Sequence, residues 1–243
     1  MEKLRLPDTP FWVEPASVLE QHLRLSLEES HHLLHVHRAK PGTPFQATDG
    51  AGGFFECVLE SVERRLAVGR IVERRADQGE LPRPIEVLVG MPDRRAIEQI
   101  VTHAIPLGVS SLDFVACDRS ERGSLGPQQL TRLQRIARAA LKQSRRSRLP
   151  GLGSSRSVAS AVKAIGVGAE RFLADPEGKP FNFDFRKNPQ ATTLLAVGPP
   201  GGFTESERQV LLGEGFAPIY LGPSRLTTET ATLALLGLAR NSL

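Results

Sequence analysis

Two strand, loop and helix units near the carboxyl terminus constrain the fold of this chain more than any other feature. The aliphatic run at 192–197 opens into a loop rich in glycine and proline at 198–204, and the run at 219–221 opens into a second such loop at 222–231. In open α/β sheets, ligands are held by the loops at the carboxyl ends of the strands. The two loops therefore predict one shared pocket in an α/β domain.

The first of these loops has a physical logic of its own. Gly201 and Gly202 remove side chains and let the backbone approach a ligand, and Thr204 with Glu207 predicts a capping box that begins a helix. The loop lacks the Gly-Lys-Ser/Thr of a phosphate-binding loop and the glycine order of a dinucleotide site. Taken alone it is equally typical of a tight turn, but its pairing with the second loop favours a pocket.

The pattern of short apolar runs divides the chain into two domains. Strand-like runs at 44–48, 54–59 and 66–71, with a turn at 49–53, predict a small β domain over residues 1–75. Residues 76–84 have the composition of a linker. The remainder, 85–243, alternates strands and helices and predicts an α/β domain with a largely parallel sheet.

Within the second domain, local signals place several elements. Strands are expected at 85–91, 112–116 and 172–173. Asp93 is a candidate N-cap for a helix that follows the first strand, and Pro127 begins a long helix. A further helix is expected at 158–165.

The charge is concentrated in one segment. Of 31 basic residues, eight lie in 122–148, which contains no acidic residue, and removing them leaves 23 basic against 27 acidic residues. Clustered arginine is typical of phosphate-backbone binding, although a solvated helix face is the common alternative for such a run. The asymmetry favours contact with nucleic acid.

Other features narrow the class of protein. We expect a soluble cytoplasmic protein with no membrane partner, because no run of about 18 apolar residues and no apolar signal-peptide core occur. Cys57 and Cys117 lack metal-ligand spacing and predict buried reduced thiols. Four histidines at 31, 32, 35 and 37 raise the possibility of a metal site, but without cysteine or carboxylate partners at ligand spacing they favour surface or RNA-facing positions and no metal.

The motifs resemble a known family. Val-Gly-Pro-x-Gly-Gly-Phe-Thr-x-x-Glu from Val197, Leu-Gly-Pro from Leu221 and Leu-x-Thr-Glu-Thr-Ala from Leu226 are similar to motifs of the RsmE family of SPOUT-class methyltransferases, which make N3-methyluridine in small-subunit (16S) ribosomal RNA. Similar segments occur upstream, at Ser120-Glu121-Arg122, at 142–146 and at 36–42. The resemblance spans essentially the whole chain.

This resemblance implies a fold, a cofactor and partners. It implies an α/β domain with a trefoil knot preceded by a PUA-like β-barrel that grips RNA, a homodimer, and S-adenosyl-L-methionine held in the knot loops. The partner that it implies is ribosomal RNA or the small ribosomal subunit. The cofactor-binding residues carried over by position are Leu173, Val197, Gly198, Pro199, Gly201, Gly202, Leu221, Gly222, Leu226, Thr228 and Thr230. For the three leucines, ordinary core packing is the alternative.

Uridine N3 carries a proton, so a group that removes it or stabilises the resulting anion is required. The candidate catalytic residues are Arg225 and Glu229, and Glu229 is equally suited to cap the last helix or to pair with an arginine. The candidate RNA-binding residues are Arg38, Arg122, Arg138, Lys142, Arg145, Arg146 and Arg148.

The chain also departs from the family pattern. Pro200 stands where the family usually has an acid, and Thr227 stands where it usually has an arginine, which leaves Arg225 as the replacement. A segment with His103 and Pro106 replaces one that tends to hold a lysine and an acid. These changes keep open the alternatives of a diverged RNA-binding protein with weak or no methyl transfer, or an enzyme for a different base.

Overall fold

The computed structural model describes residues 9–120, 122–163, 168–180 and 191–241. It consists of two compact units. The first comprises the chain up to Glu80 together with Arg138–Leu149, and the second comprises Leu81–Ala137 and the chain from Pro150 onward. The expected limits, a β domain at 1–75, a linker at 76–84 and an α/β domain at 85–243, differ from this division because residues 138–149 pack in the first unit.

The first unit is built on a five-stranded sheet in the order β1-β3-β4-β5-β2. The strands are β1 (Phe11–Trp12), β2 (His22–Arg24), β3 (Pro44–Thr48), β4 (Gly53–Glu63) and β5 (Leu66–Ala76). The expected strands and the turn at 49–53 are confirmed: Asp49 Oδ1 accepts hydrogen bonds from the amides of Ala51 and Gly53, both at 2.8 Å. Helix α1 (Leu27–His31), capped by Ser26, continues into a π-helical turn at His32–Val36.

The apolar core of this unit lies against the sheet. Its fully buried side chains include Phe11, Leu33, Phe45 and Leu59. Residues 147–149 are joined to the turn between β3 and β4, because the Gly52 amide donates to the Ser147 carbonyl at 2.9 Å and the Leu149 amide donates to the Gly50 carbonyl at 2.8 Å. These bonds explain why a segment from late in the sequence belongs to the first unit.

The second unit contains a six-stranded sheet in the order β11-β9-β10-β6-β7-β8, with every neighbouring pair parallel. The strands are β6 (Ile85–Gly90), β7 (Ser111–Val115), β8 (Gly151–Ser155), β9 (Glu170–Pro180), β10 (Thr193–Val197) and β11 (Ala217–Tyr220). The largely parallel sheet is confirmed. Because all six strands run the same way, their carboxyl ends lie at one edge of the sheet.

Helices cover both faces of this sheet. They are α2 (Arg94–Ala104), α3 (Pro127–Ser144), α4 (Val158–Lys163), α5 (Glu205–Gly213) and α6 (Thr228–Asn241), and α3 begins in the second unit and ends in the first. Asp93 caps α2 as expected, accepting a hydrogen bond from the Ala96 amide at 2.9 Å. Helices α2 and α6 contact each other, and α6 also packs on β6 and β10. Within the described ranges, no helix is long and apolar enough to cross a membrane.

Candidate active site

The loop after β10 forms a tight turn that leads directly into α5. The Gly202 amide donates to the Pro199 carbonyl at 2.7 Å, and Gly202 has a φ of +72°, which favours glycine. The expected capping box is confirmed, because Thr204 N donates to Glu207 Oε2 at 2.8 Å while Thr204 Oγ1 accepts from the Glu207 amide. The backbone hydrogen bond and the capping box therefore hold the loop in one conformation.

The loop after β11 is hydrogen-bonded to the first loop. Thr228, which is 4% exposed, donates from Oγ1 to the Gly198 carbonyl at 3.0 Å. At the end of β6, Gly90 lies so close to the first loop that a Cβ atom there would collide with the Pro199 nitrogen. Together these contacts fix the spacing between the two loops.

A cavity of about 570 Å³ lies between the loops, at the carboxyl edge of β9, β10 and β11. This volume is within the range of roughly 300–1,000 Å³ that is usual for small-molecule sites. The expected cofactor residues that line it are Leu173, Val197, Gly198, Pro199, Gly201, Gly202, Leu221, Gly222, Leu226 and Thr228. The structure therefore brings together two loops and a third segment that are far apart in the sequence.

Two of the candidate residues lie elsewhere. Among the described residues, neither Thr230 nor Glu229 lines this cavity. Thr230 is exposed, and its hydroxyl lies 3.0 Å from that of Thr227. Both positions belong to the first turn of α6, where residues one and two places after Thr228 point away from the side that Thr228 presents. Thr230 and Glu229 therefore lie outside this cavity, and the roles expected for them, contact with the cofactor and with the reacting base, stay predictions.

Arg225, the other catalytic candidate, does line the cavity. Its Nη2 lies 3.4 Å from the Pro200 carbonyl oxygen, which is a long hydrogen bond. Arg119, which the sequence patterns did not indicate, lines the cavity from the loop after β7, and its Nη1 donates to the carbonyls of Gly201 at 3.2 Å and Phe203 at 3.3 Å. Two guanidinium groups thus contact backbone carbonyls of the glycine-rich loop.

An ion pair forms part of the cavity wall. Arg208 Nε lies 2.6 Å from Asp175 Oδ2, and the Asp175 carboxylate is buried. The hydrogen bond to the Asp175 carboxylate raises the pKa of the Arg208 guanidinium above its ordinary value. No sequence signal indicated this ion pair, because the two residues are 33 positions apart.

The cysteines offer no nucleophile to the site. Cys57 and Cys117 are buried free thiols, as expected. Burial raises the pKa of the Cys117 thiol to about 12, with a further contribution from Glu207. A thiol with so high a pKa is protonated at neutral pH, so its reactivity is low.

The basic segment, expected to contact RNA, is largely engaged inside the first unit. Arg146 is 3% exposed, and its Nη2 lies 2.5 Å from Glu80 Oε2. Its burial argues against the expected RNA contact, because a guanidinium with so little exposure cannot reach a phosphate. The sequence pattern did not reveal the ion pair between Arg146 and Glu80, because Glu80 lies 66 positions earlier in the chain.

The remaining candidates keep some exposure, although most have a partner within the first unit. Lys142 pairs with Glu29 at 2.6 Å, and Arg148 pairs with Asp77 at 2.5 Å. Arg145 donates to Gln46 Oε1, and Arg138 pairs with Glu14 and lies 4.5 Å over the Trp12 ring. Arg38 and Arg122 are exposed.

The four histidines form ring contacts in the first unit. The rings of His31 and His35 are 4.7 Å apart and those of His32 and His37 are 4.8 Å apart. Burial lowers the pKa of His37, and the charge of His32 lowers it further. In the part of the chain that the structure describes, no group of three histidine, cysteine or acidic side chains is placed to hold a metal ion.

Comparison with known proteins identifies both parts of the chain. A family model described as an RNA methyltransferase domain matches residues 79–240, and one described as an RNA methyltransferase PUA domain matches residues 26–72. The ribosomal RNA small subunit methyltransferase E of Synechocystis sp. is 30% identical over 231 residues, covering 92% of this chain and 74% of that protein.

Solved structures agree with the sequence matches. A probable rRNA-methyltransferase from Porphyromonas gingivalis has a TM-score of 0.81 at 27% identity, with 96% of this chain and 98% of that chain covered. The ribosomal RNA small subunit methyltransferase E of Neisseria gonorrhoeae, solved bound to S-adenosyl methionine, has a TM-score of 0.84 at 23% identity, covering 96% and 97%. By these matches the chain belongs to the ribosomal RNA small subunit methyltransferase E family, an α/β methyltransferase fold preceded by a PUA domain.

Proposed function

We propose that this protein transfers a methyl group from S-adenosyl-L-methionine to N3 of a uridine in small-subunit (16S) ribosomal RNA. The observation that carries the proposal is the cavity between the loops after β10 and β11, because nearly every residue that the family resemblance assigns to the cofactor lines it. The family match over both units supports the same activity.

The residues present fit this cofactor. Val197, Leu221 and Leu226 offer apolar walls for an adenine ring, and the glycines of both loops leave backbone amides and carbonyls within reach. The Asp175 carboxylate and the Arg119 and Arg225 guanidiniums add charges of both signs, which suit a ligand that carries a sulfonium, an amine and a carboxylate. When bound, the cofactor supplies an activated methyl group.

The protein's own task is to orient the uridine, exclude water and deal with the N3 proton. Arg225 is our candidate for the last task, because its guanidinium lines the cavity and its hydrogen bond to the Pro200 carbonyl is long. A fixed cation there would favour the N3 anion over the neutral base, since charge stabilisation is stronger in a pocket than in water. Where the family usually has an acidic side chain, this chain has Pro200, whose backbone carbonyl oxygen accepts from Arg225.

The wider assembly is also a proposal. We propose that RNA contacts Arg38, Arg122, Arg138, Lys142, Arg145 and Arg148, whose side chains keep some exposure, and we leave out Arg146.

The homodimer, the cytoplasmic location, the trefoil knot and the domain limits at 1–75 and 85–243 stay predictions. Light scattering tests the dimer: we expect twice the 26.5 kDa chain mass.

Calorimetric titration with S-adenosyl-L-methionine and with its demethylated product tests the cofactor site first. Saturable binding, followed by mass-spectrometric detection of N3-methyluridine in treated small-subunit RNA, is the expected result. Binding followed by a different modified base would overturn the choice of target. The absence of both binding and methyl transfer would instead favour an RNA-binding relative without the activity.

A matched pair of glycine variants locates the site. Gly90→Ala places a methyl group against Pro199 and should weaken cofactor affinity at least about tenfold, because small displacements in a preorganised site are costly. Gly213→Ala has open space around it and should bind as the wild type does. Equal affinities of the two folded variants would show that the cofactor binds elsewhere.

A further inference from the structure

A second depression lies beside the cofactor cavity, at the carboxyl ends of β7 and β8. It has a volume of about 470 Å³ and is lined by residues 116–118, 120, 122–123 and 156–159 and by the first two turns of α5. The loop after β7 contributes to both cavities: Arg119 lines the cofactor cavity, whereas Asp118 and Ser120 line the second depression. The two are therefore adjacent along the same edge of the sheet.

Two arginines line the second depression, Arg122 and Arg156, and both are exposed. Among the described residues, neither guanidinium makes a hydrogen bond or an ion pair. Most other cations of the basic segment differ, since Arg132 pairs with Glu98 at 2.7 Å and the cations from Arg138 to Arg148 have partners within the first unit. The two guanidiniums at the depression are thus available to a ligand.

Carboxylates also line the depression, but they are engaged by the loops themselves. Glu207 accepts from the amides of Asp118 at 2.9 Å and Thr204 at 2.8 Å. Asp118 Oδ2 accepts from Thr204 Oγ1 at 3.3 Å. Neither carboxylate pairs with Arg122 or Arg156, even though all four groups line the same depression, so both guanidiniums keep their donors for a ligand.

The segments that carry the two arginines are held in place. The Leu125 amide donates to Ser154 Oγ at 2.9 Å, which joins the stretch after Arg122 to the end of β8. The Ala116 amide donates to the Ser155 carbonyl at 2.9 Å, directly before Arg156. Both arginines therefore project from backbone that is hydrogen-bonded to the sheet.

We propose that Arg122 and Arg156 hold a backbone phosphate of the RNA next to the nucleotide that enters the cofactor cavity. This inference rests on the proposed function. A planar guanidinium binds a phosphodiester through two hydrogen bonds, and phosphate contacts fix the position of a strand without reading its sequence. A strand that presents one base to the first cavity continues along the same edge, where these two groups lie.

The test uses the whole chain, with small ribosomal subunits and naked 16S rRNA from a bacterial strain that lacks this methyltransferase. The variants are Arg122→Gln, Arg156→Gln and Arg156→Lys, and the control is Arg95→Gln, which removes an exposed arginine of the same unit that lines neither cavity. RNA affinity is measured between about 50 and about 200 mM salt, a range that spans physiological conditions, and cofactor affinity is measured by calorimetry.

We expect Arg122→Gln and Arg156→Gln each to weaken RNA binding about tenfold, with a salt slope lower by roughly 0.7 for each single-strand phosphate that is no longer neutralised. Arg156→Lys should recover the slope but only part of the affinity. Cofactor affinity should be unchanged throughout. Excess inorganic phosphate should compete weakly, because an isolated ion lacks the rest of the strand.

Two negative results are distinguishable. If the wild type binds and methylates RNA while both glutamine variants match Arg95→Gln, the phosphate subsite is overturned and the proposed function stands. If the wild type neither binds nor methylates RNA, the proposed function fails and the subsite fails with it. Full displacement of the RNA by millimolar inorganic phosphate would show a free-anion site instead.

Discussion

Arg225 is the residue that we propose as compensation for a departure from the family pattern. The family's usual arginine position holds Thr227, whose hydroxyl lies 3.0 Å from that of Thr230 on the first turn of α6. Arg225, two positions earlier, nevertheless lines the cavity and lies near the Pro200 carbonyl. A guanidinium group therefore lines the cavity although position 227 holds a threonine.

Replacing Arg225 with glutamine should therefore slow methyl transfer more than it weakens cofactor binding. We expect kcat to fall roughly 100- to 1,000-fold, the usual effect of removing one charge-stabilising group, and cofactor affinity to change only a few-fold. Because the N3 anion would then form only with the help of a more basic solution, the pH profile should shift to higher pH. Arg95→Gln is the control, and a kcat for Arg225→Gln within threefold of wild type would contradict the role.

Glu86 provides a pH-dependent test of packing in the sheet. It lies in β6, half-buried, and desolvation raises the pKa of its carboxyl above the ordinary value. The folded state therefore binds this proton more tightly than the unfolded state does. The protonated carboxyl contributes stability that is fully present below the unfolded-state pKa and is lost as pH rises through the raised folded-state pKa.

Glu86→Gln should accordingly stabilise the protein at pH 7 relative to the wild type and leave its stability unchanged near pH 4. The measurement is the difference in Tm between the variant and the wild type across this range. The difference should grow as pH rises through the folded-state pKa and then level off. A difference that is the same at both ends would show that packing, not the charge, is responsible.

At the scale of helices and strands, local signals were reliable where the chemistry is local. The Asp93 cap, the Thr204 and Glu207 capping box and the strand at 44–48 all depend on residues within a few positions of each other. The loops of the cofactor site could be predicted for the same reason, because glycine and threonine sit where the backbone turns.

Elements that depend on distant partners were missed. The strand β8, Gly-Leu-Gly-Ser-Ser, has little apolar character and is an edge strand defined by its pairing with β7. Strand β9 continues through Asp175 and Gly178, which are typical of a turn, because β11 pairs with it across a shift in register. Gly178 is required there, since a Cβ would meet the Ile219 backbone at 2.5 Å.

The end of α3 offers a test of the buried ion pair in the first unit. Glu80 accepts from the Arg146 guanidinium and also from the amides of Ser147 at 3.0 Å and Arg148 at 2.8 Å. Glu80→Ala should lower the free energy of unfolding by roughly 3–5 kcal/mol in urea titrations, because it removes one partner of a buried ion pair and the acceptor of two backbone amides.

The matched control is Arg148→Ala, which breaks an exposed pair with Asp77 and should change stability little. Equal destabilisation of the two variants would mean that the Arg146 pair is no more important than a surface contact. The comparison also matters for RNA binding, since a lower affinity on replacing Arg146 would reflect folding and not a missing phosphate contact.

For the whole molecule, the cavity that we propose as the cofactor site is lined by segments from four parts of the chain, near residues 119, 175, 200 and 225. A ligand that binds across them should stabilise all of them together. At 100 times its Kd, S-adenosyl-L-methionine should add about 2.7 kcal/mol of stability and raise Tm by roughly 5–10 °C. Scanning calorimetry measures the shift, with ATP at the same concentration as the control; a shift below one degree would contradict a site assembled in this way.

The position of α6 has a consequence for how the protein is made. This helix, 228–241, packs on the central strands β6 and β10 with Leu235 and Leu236 fully buried, and its first residue bonds to the cofactor loop. Because synthesis proceeds from the amino end, the surface of β6 and β10 that this helix covers stays exposed until residues 228–241 have been translated. A chain whose synthesis stops before Thr228 would expose this apolar surface and would not bind the cofactor. Chaperones and proteases would then have to remove it.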